Sequence, residues 1–359
     1  MSQTEIGSLI KKPCFSNLLK VLNRQKADNP VLFELFLNGP LNEKLAGRGI
    51  AATDDSAFER LKLDVDAFAI VGFDYVTTHA SDMWFQTGEK KKAKTISLND
   101  GVAITDRDGF MHYAWPDPDS FDYSRLQLIT PYLPDGMKLM VMSHGGVLEN
   151  VIALTGYDNL CYMLYEDPHL VQDLFDAVGS RLVRYYEIAA KYDNVGVIMS
   201  NDDWGFRTQT FLSPADLRKY VFPWHKKIVD TAHKAGKPVI LHSCGYLLDV
   251  MDDIIGYMGY DGKHSFEDTI MPVEAAYKRW GGRIAIMGGI DVNFLIRSTP
   301  EAIKDRSRKM CRLAAEVGGY ALGSGNSIPE YVPDEKFFAL VESVYPGVIQ
   351  RMHLHSEKK

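Results

Sequence analysis

Cysteine is scarce. The 359 residues include only Cys14, Cys161, Cys244 and Cys311, widely spaced. That argues against a disulfide framework and for a reducing compartment, so the expected location is cytoplasmic. Long apolar runs are also missing, and none approaches the roughly 18 residues that suggest a membrane span. Met1–Lys12 lacks the charged-then-apolar plan of a signal peptide. Nor is positive charge in excess: 40 Lys and Arg stand against 47 Asp and Glu, for a net charge of −7. The basic residues are scattered, so no nucleic-acid footprint is expected. No G-x-G-x-x-G follows the first apolar run, which disfavours a Rossmann sheet. No Pro/Gly/Ser-rich linker divides the chain, and residues 1–359 read as one domain.

What is present is a repeating unit: a short apolar, β-branched run, a polar or glycine-containing end, then an amphipathic helical stretch. Predicted strands cover Pro30–Phe36, Ala67–Phe73, Lys138–Ser143, Val195–Ser200, Pro238–Leu241, Tyr260–Lys263, Arg283–Met287 and Gly319–Leu322. Strands that alternate with helices and read as buried on both faces pair in parallel. Eight such units predict an α/β fold, a (β/α)8 TIM barrel. Residues 1–28 form an N-terminal helical extension. Gly101–Trp115 (GVAITDRDGFMHYAW) reads as a β-hairpin inserted after strand two.

In such barrels chemistry collects at the C-terminal strand ends. Past strand two come Asp74, His79 and Asp82, and past strand three His144-Gly145-Gly146 and Glu149. Past strand four lies Asn201-Asp202-Asp203-Trp204-Gly205, past five His242-Ser243-Cys244-Gly245, and past six His264-Ser265-Phe266-Glu267-Asp268. Gly288-Gly289-Ile290-Asp291 and Gly323-Ser324-Gly325-Asn326 follow the last two. His242 and Cys244 stand out. Residues i and i+2 of an extended segment face the same side, and imidazole with thiolate suits zinc. Either Glu267 or Asp203 can complete the set. Asp202 and Asp203 are candidates for acid–base or orienting roles, although Asn and Asp also favour caps and turns. Lys263 and His264 can meet an anion or simply be solvated. Cys311 reads as a core thiol, and His353 and His355 as a charged tail.

The segments DDWGFRTQTFLSP (202–214), HSCG (242–245), KHSFED (263–268), GGIDV (288–292) and GSGNS (323–327) resemble the uroporphyrinogen decarboxylase superfamily. More narrowly, they look like its corrinoid-dependent methyltransferase branch. The resemblance is strong from about Lys138 to Tyr345 and implies one barrel. The decarboxylases use an arginine-bearing motif after the first strand to grip an acidic porphyrinogen. The matching stretch here, Phe33–Gly39 (FELFLNG), has no arginine. The methyltransferase branch implies zinc on His242 and Cys244, with a third ligand, usually cysteine, where Asn326 stands.

The resemblance therefore implies a methyltransferase that moves a methyl group between a small methylated substrate (an ether, amine or thiol) and a corrinoid protein. A D-x-H-x-x-G corrinoid motif would need Asp at 240, where Ile240 stands, so the corrinoid must come from a partner. The residues assigned to catalysis are Asp202, Asp203, Glu267, Lys263 and His264. Trp204, Phe206, Arg207, Glu149, Ser324 and Asn326 are assigned to substrate, and His242, Cys244 and Glu267 to zinc. A homodimer is compatible with this reading. Two rivals remain open. One is a metal-free carboxy-lyase on a smaller acid gripped by Lys263 or Arg207, and the other a non-catalytic corrinoid- or tetrapyrrole-binding protein.

Overall fold

A computed structural model describes residues 11–51, 53–54, 56–88, 97–348 and 350–352. Seven strands form one curled, all-parallel sheet in chain order: β1 Tyr75–His79, β2 Lys138–Met142, β3 Val195–Asn201, β4 Val239–His242, β5 Gly262–His264, β6 Ala285–Met287 and β7 Tyr320–Ala321. The predicted first strand is present as an extended segment. Leu32 pairs in parallel with Leu322, and the N–H of Phe33 reaches the Leu322 carbonyl at 2.7 Å. A side chain bridges this segment to β1. The Tyr75 hydroxyl donates to the Glu34 carbonyl at 2.6 Å and accepts from the Glu34 N–H at 2.8 Å. The architecture is the predicted barrel.

Two predicted elements differ. Ala67–Phe73 is not strand two but mostly the end of helix Ala57–Val71. Ser56 caps that helix by accepting the Glu59 N–H, and Gly72 ends it in the left-handed conformation (φ 105°). A short buried apolar run fits helix and strand alike; here the cap and the helical spacing of Leu61, Val65 and Phe68 decide. The strand proper is the next apolar piece, Tyr75–His79. Asp74 consequently precedes its strand and falls at the other end of the barrel, where Lys11 bonds it at 2.8 Å. The predicted hairpin is also absent. The Leu154 carbonyl accepts from the N–H groups of Ala103 and Ile104 at 2.8 and 2.9 Å. Asp106 then caps a short helix, Arg107–His112, instead of turning a ribbon.

The N-terminal extension has a packing role. Helix Phe15–Leu22 buries Phe15, Leu18, Val21 and Leu22 along one stripe. It lies against the barrel floor, where Gly196 and Gly262 leave room for Phe15 and Leu22. A Cβ on Gly196 would fall 2.4 Å from Phe15 Cζ. Among the described residues no helix is long and apolar enough to cross a membrane.

The floor contact is testable. Gly196→Ala should lower stability by about 1–3 kcal/mol through overpacking, read as a lower thermal midpoint. Adding Phe15→Leu should recover part of the loss, whereas strictly additive effects would show that the two positions do not meet.

Candidate functional site

Sheet register sets the first layer of the site. Asn201 lies opposite His242, and His242 opposite His264, so the ends of β3, β4 and β5 form one rung. The chain then leaves the strands in loops that are locked together. Gly205 and Gly245 meet backbone to backbone, and a Cβ on Gly245 would lie 2.1 Å from the Gly205 carbonyl oxygen. The Tyr246 N–H donates to the Phe206 carbonyl at 2.7 Å.

Within this frame His242, Cys244 and Asp203 converge. One ligand atom from each lies within 4.8 Å of the others. His242 Nε2 is 3.6 Å from Cys244 Sγ, and Asp203 Oδ1 accepts the Cys244 N–H at 2.7 Å. Of the two carboxylates left open by the sequence, the geometry selects Asp203. Glu267 lines the adjoining pocket but is not in this group. Asn326, aligned with a ligand position, instead donates its amide to Cys244 Sγ at 3.4 Å. The set opens into a pocket of about 450 Å³ whose wall includes Glu267, Asp291, Asn326 and Tyr331 and holds no lysine or arginine.

Burial dominates the electrostatics. It lowers the pKa of His242 to about 4 and that of His264 well below the usual histidine value, favouring neutral rings. Burial, reinforced by Asp203, pushes the Cys244 thiol well up. Burial also lowers Lys263 to about 8, against the opposing pull of Cys244, Asp203 and Glu267. Lys263 does not face the pocket as an anion grip. Its Nζ donates to the carbonyls of Ser243 (3.2 Å) and Ser265, tying the two loops, and lies 4.3 Å from the Phe266 ring centre.

Asp202 is placed differently from its neighbour. It is fully buried and accepts four hydrogen bonds: from the N–H groups of Leu148 and Glu149 (2.9 and 2.8 Å), Trp204 Nε1 (2.8 Å) and His225 Nε2 (2.8 Å). It therefore holds the start of helix Val147–Thr155 and, being fully buried, presents no oxygen to a substrate. Gly146 is required there, since a Cβ would meet the Asp202 side chain at 2.2 Å. Trp204 is likewise fully buried, between Phe222 and His225, and is not a substrate wall. Phe206 is part-exposed against Phe211 and Tyr157, and Arg207 is exposed on the same loop. Glu149 accepts the Gly146 N–H at 2.9 Å. Burial first, then Asp202 and Asp203, raises its pKa to about 8. Elsewhere on the rim His79 stacks on His144 with centroids 3.7 Å apart, and Asp82 pairs with Arg125. Cys311 is half-buried away from the site, and His353 and His355 lie outside the described residues.

The sequence reading missed two residues. Glu34, inside the apolar run PVLFELF, is buried and accepts both the N–H and the hydroxyl of Ser324, at 2.7 and 2.6 Å. Burial raises its pKa to about 8. A lone acid in a strand-like apolar run was the available signal. His225 lies mid-helix, bonded to Asp202 and to the Tyr260 hydroxyl, and had no local signal.

The family model for uroporphyrinogen decarboxylase (URO-D) matches residues 122–346, more than half of the chain. The chain belongs to the URO-D family. Among curated URO-D relatives, the uroporphyrinogen decarboxylase of Streptomyces avermitilis is 26% identical over 184 residues, 51% of this chain and 49% of that protein. That of Anaeromyxobacter sp. (strain Fw109-5) is 28% identical over 192 residues, 53% and 52% respectively. The matches thus span about half the length of these relatives. A solved methyltransferase from Methanosarcina mazei shares the fold with a TM-score of 0.67 at 17% identity, over 92% of this URO-D chain and 98% of its own.

Asp202→Asn places an amide N–H₂ among four donors. It should cost about 2–4 kcal/mol and lower the thermal midpoint by several degrees. An unchanged midpoint would show that the four bonds do not anchor the helix.

Proposed function

We propose that this chain is a methyltransferase that moves a methyl group between a small methylated substrate and a corrinoid carried by a partner protein, with zinc held by Asp203, His242 and Cys244. One observation carries the reading. A nitrogen, a sulfur and an oxygen atom suited to bind a metal gather beside a pocket that Asp203 and Cys244 line and whose wall holds carboxylates and no lysine or arginine. Three protein ligands with an open side are what a catalytic zinc requires. The donors fit in chemistry as well as number, being a neutral imidazole, a thiol that loses its proton to a metal, and a carboxylate.

Zinc held there would supply Lewis acidity to the heteroatom that gives up or receives the methyl group. The remaining work falls to the protein. Asp203 holds the Cys244 backbone and would offer its carboxylate to the metal. Asn326 donates to the cysteine sulfur, and Lys263 ties the two flanking loops from below. Glu267, Asn326 and Tyr331 shape the room for substrate, and the partner's corrinoid would approach over the open rim.

The decarboxylase reading of the relatives' names finds less support. An acidic substrate needs cations, but Lys263 is engaged by two carbonyls and Arg207 lies exposed on its loop. The pocket wall itself presents Asp203, Glu267 and Asp291. An acidic substrate brought against that surface would be repelled.

Elemental analysis of anaerobically purified protein should find about one zinc per chain, and Cys244→Ala should lose both the metal and methyl transfer to a corrinoid protein. Zinc-free protein, with Cys244→Ala fully active, overturns the proposal. The raised thiol pKa also fixes a sign. The metal-free site keeps its proton at neutral pH, so binding must release it and affinity should rise roughly tenfold per pH unit. Chelator competition between pH 6.5 and 8 reads this slope.

A further inference from the structure

The hydrogen bonds behind His242 lead away from the pocket and end on a backbone carbonyl. His264 Nε2 lies 3.2 Å from the Ser324 carbonyl oxygen. Its other nitrogen, Nδ1, lies 2.8 Å from Nδ1 of His242. A carbonyl has no proton to give, so the proton in the first contact is on His264 Nε2. His264 is fully buried beside the Phe33 ring, 5.0 Å away, and no carboxylate is bonded to it among the described residues. An imidazolium there would be uncompensated, so the ring is neutral and its Nδ1 is bare. The proton between the two rings then comes from His242 Nδ1. That leaves the lone pair of His242 Nε2 free on the side of Cys244 and Asp203.

We infer that the Ser324 carbonyl, in a turn that Glu34 grips, selects the tautomer of His242 through His264 and keeps Nε2 ready to receive a metal. Glu34 grips both donors of Ser324, the N–H at 2.7 Å and the hydroxyl at 2.6 Å, from 290 residues away in the chain. Gly323 seats the same turn. It lies so close to the Phe33 carbonyl that a Cβ would overlap it at 1.6 Å. The carbonyl that ends the chain of bonds also accepts from the Gly289 N–H at 2.7 Å, and the next N–H, of Gly325, reaches the Ile290 carbonyl at 2.7 Å, so the closing segment and the β6 loop hold this turn from two sides. Glu34 and His264 are positioning residues, outside the group that would hold the ion. Second partners of this kind orient metal-binding histidines and raise their basicity. The inference rests on the proposed reading only in naming a metal as the acceptor of the lone pair, since the tautomer belongs to the metal-free chain.

Long-range ¹H–¹⁵N spectra of the metal-free, full-length protein labelled at histidine test it, with signals assigned through His264→Phe and His242→Gln. The expected result is a proton on Nε2 of His264 and on Nδ1 of His242, without averaging. A proton on Nε2 of His242, or averaged signals from that ring, overturns the inference, and this arm needs no variant to fold. Glu34→Leu should give mixed tautomers and about 10–100-fold weaker zinc binding by chelator competition. Glu34→Gln should retain the single tautomer, because its amide can accept from the Ser324 N–H and donate to the hydroxyl. Ser324→Ala, which keeps the carbonyl but loses one grip, should show partial mixing and serves if Glu34→Leu does not fold. Unmixed tautomers in the folded Glu34→Leu protein, or in Ser324→Ala where it replaces it, remove Glu34 from the inference. Wild-type protein with the expected tautomers but no zinc affinity supports the inference and sinks the metal reading.

Discussion

The site depends on one buried carboxylate. Asp202 joins three parts of the barrel that the chain otherwise separates: the end of β3, the start of helix Val147–Thr155 and, through His225, helix Phe222–Lys234. A carboxyl group taken out of water is costly unless it is hydrogen-bonded, and here four donors meet it, three on Oδ2 and one on Oδ1. The next residue inherits the result. With Asp202 fixed below the rim, Asp203 emerges at its level and accepts from the backbone of Cys244. The candidate ligand atoms therefore converge by backbone attachment, which fixes them more firmly than flexible side chains alone.

The electrostatics around this anchor run against free charge. Burial opposes protonation of His242 and His264, opposes ionisation of Cys244 and lowers Lys263. A dication reverses that balance, because it makes the thiolate and the bare imidazole nitrogen the favoured states. A polycarboxylate would add to the negative potential that Glu267 and Asp291 already impose. One barrel fold can host different chemistries. Under the proposed reading, wall charge argues for one of them where the fold does not.

The sequence reading reached the candidate cluster because strand ends in a parallel barrel gather on one rim, and V-I-L-H-S-C-G shows both the strand and its end. It failed where a local pattern had two physical solutions. A-F-A-I-V-G-F is apolar enough for a strand, yet the Ser56 cap begins a helix whose stripe runs into it. The aspartates of T-D-R-D-G suit a turn, and Asp106 instead capped a helix. Adjacent Asp202 and Asp203 look equivalent in one dimension, and only the tertiary donors tell an anchor from a candidate ligand. Glu34 and Ser324 are far apart in the chain, so their contact is a consequence of barrel closure and invisible to spacing.

The resemblance places a third sulfur where Asn326 stands. A cysteine there would add a second thiol, whereas the Asn326 amide donates to Cys244 Sγ and Asp203 is the third member of the candidate group. The proposed set keeps the same formal charge, with one thiolate, one carboxylate and one neutral imidazole around a dication. The exchange swaps a soft donor for a hard one and adds a hydrogen bond to the remaining sulfur. Both changes would draw electron density away from a bound metal and leave it the stronger Lewis acid toward an oxygen or nitrogen of the proposed substrate. In a pocket without cations, that acidity is the main positive feature available to a ligand, so the reacting heteroatom should be the part of the substrate that the site recognises.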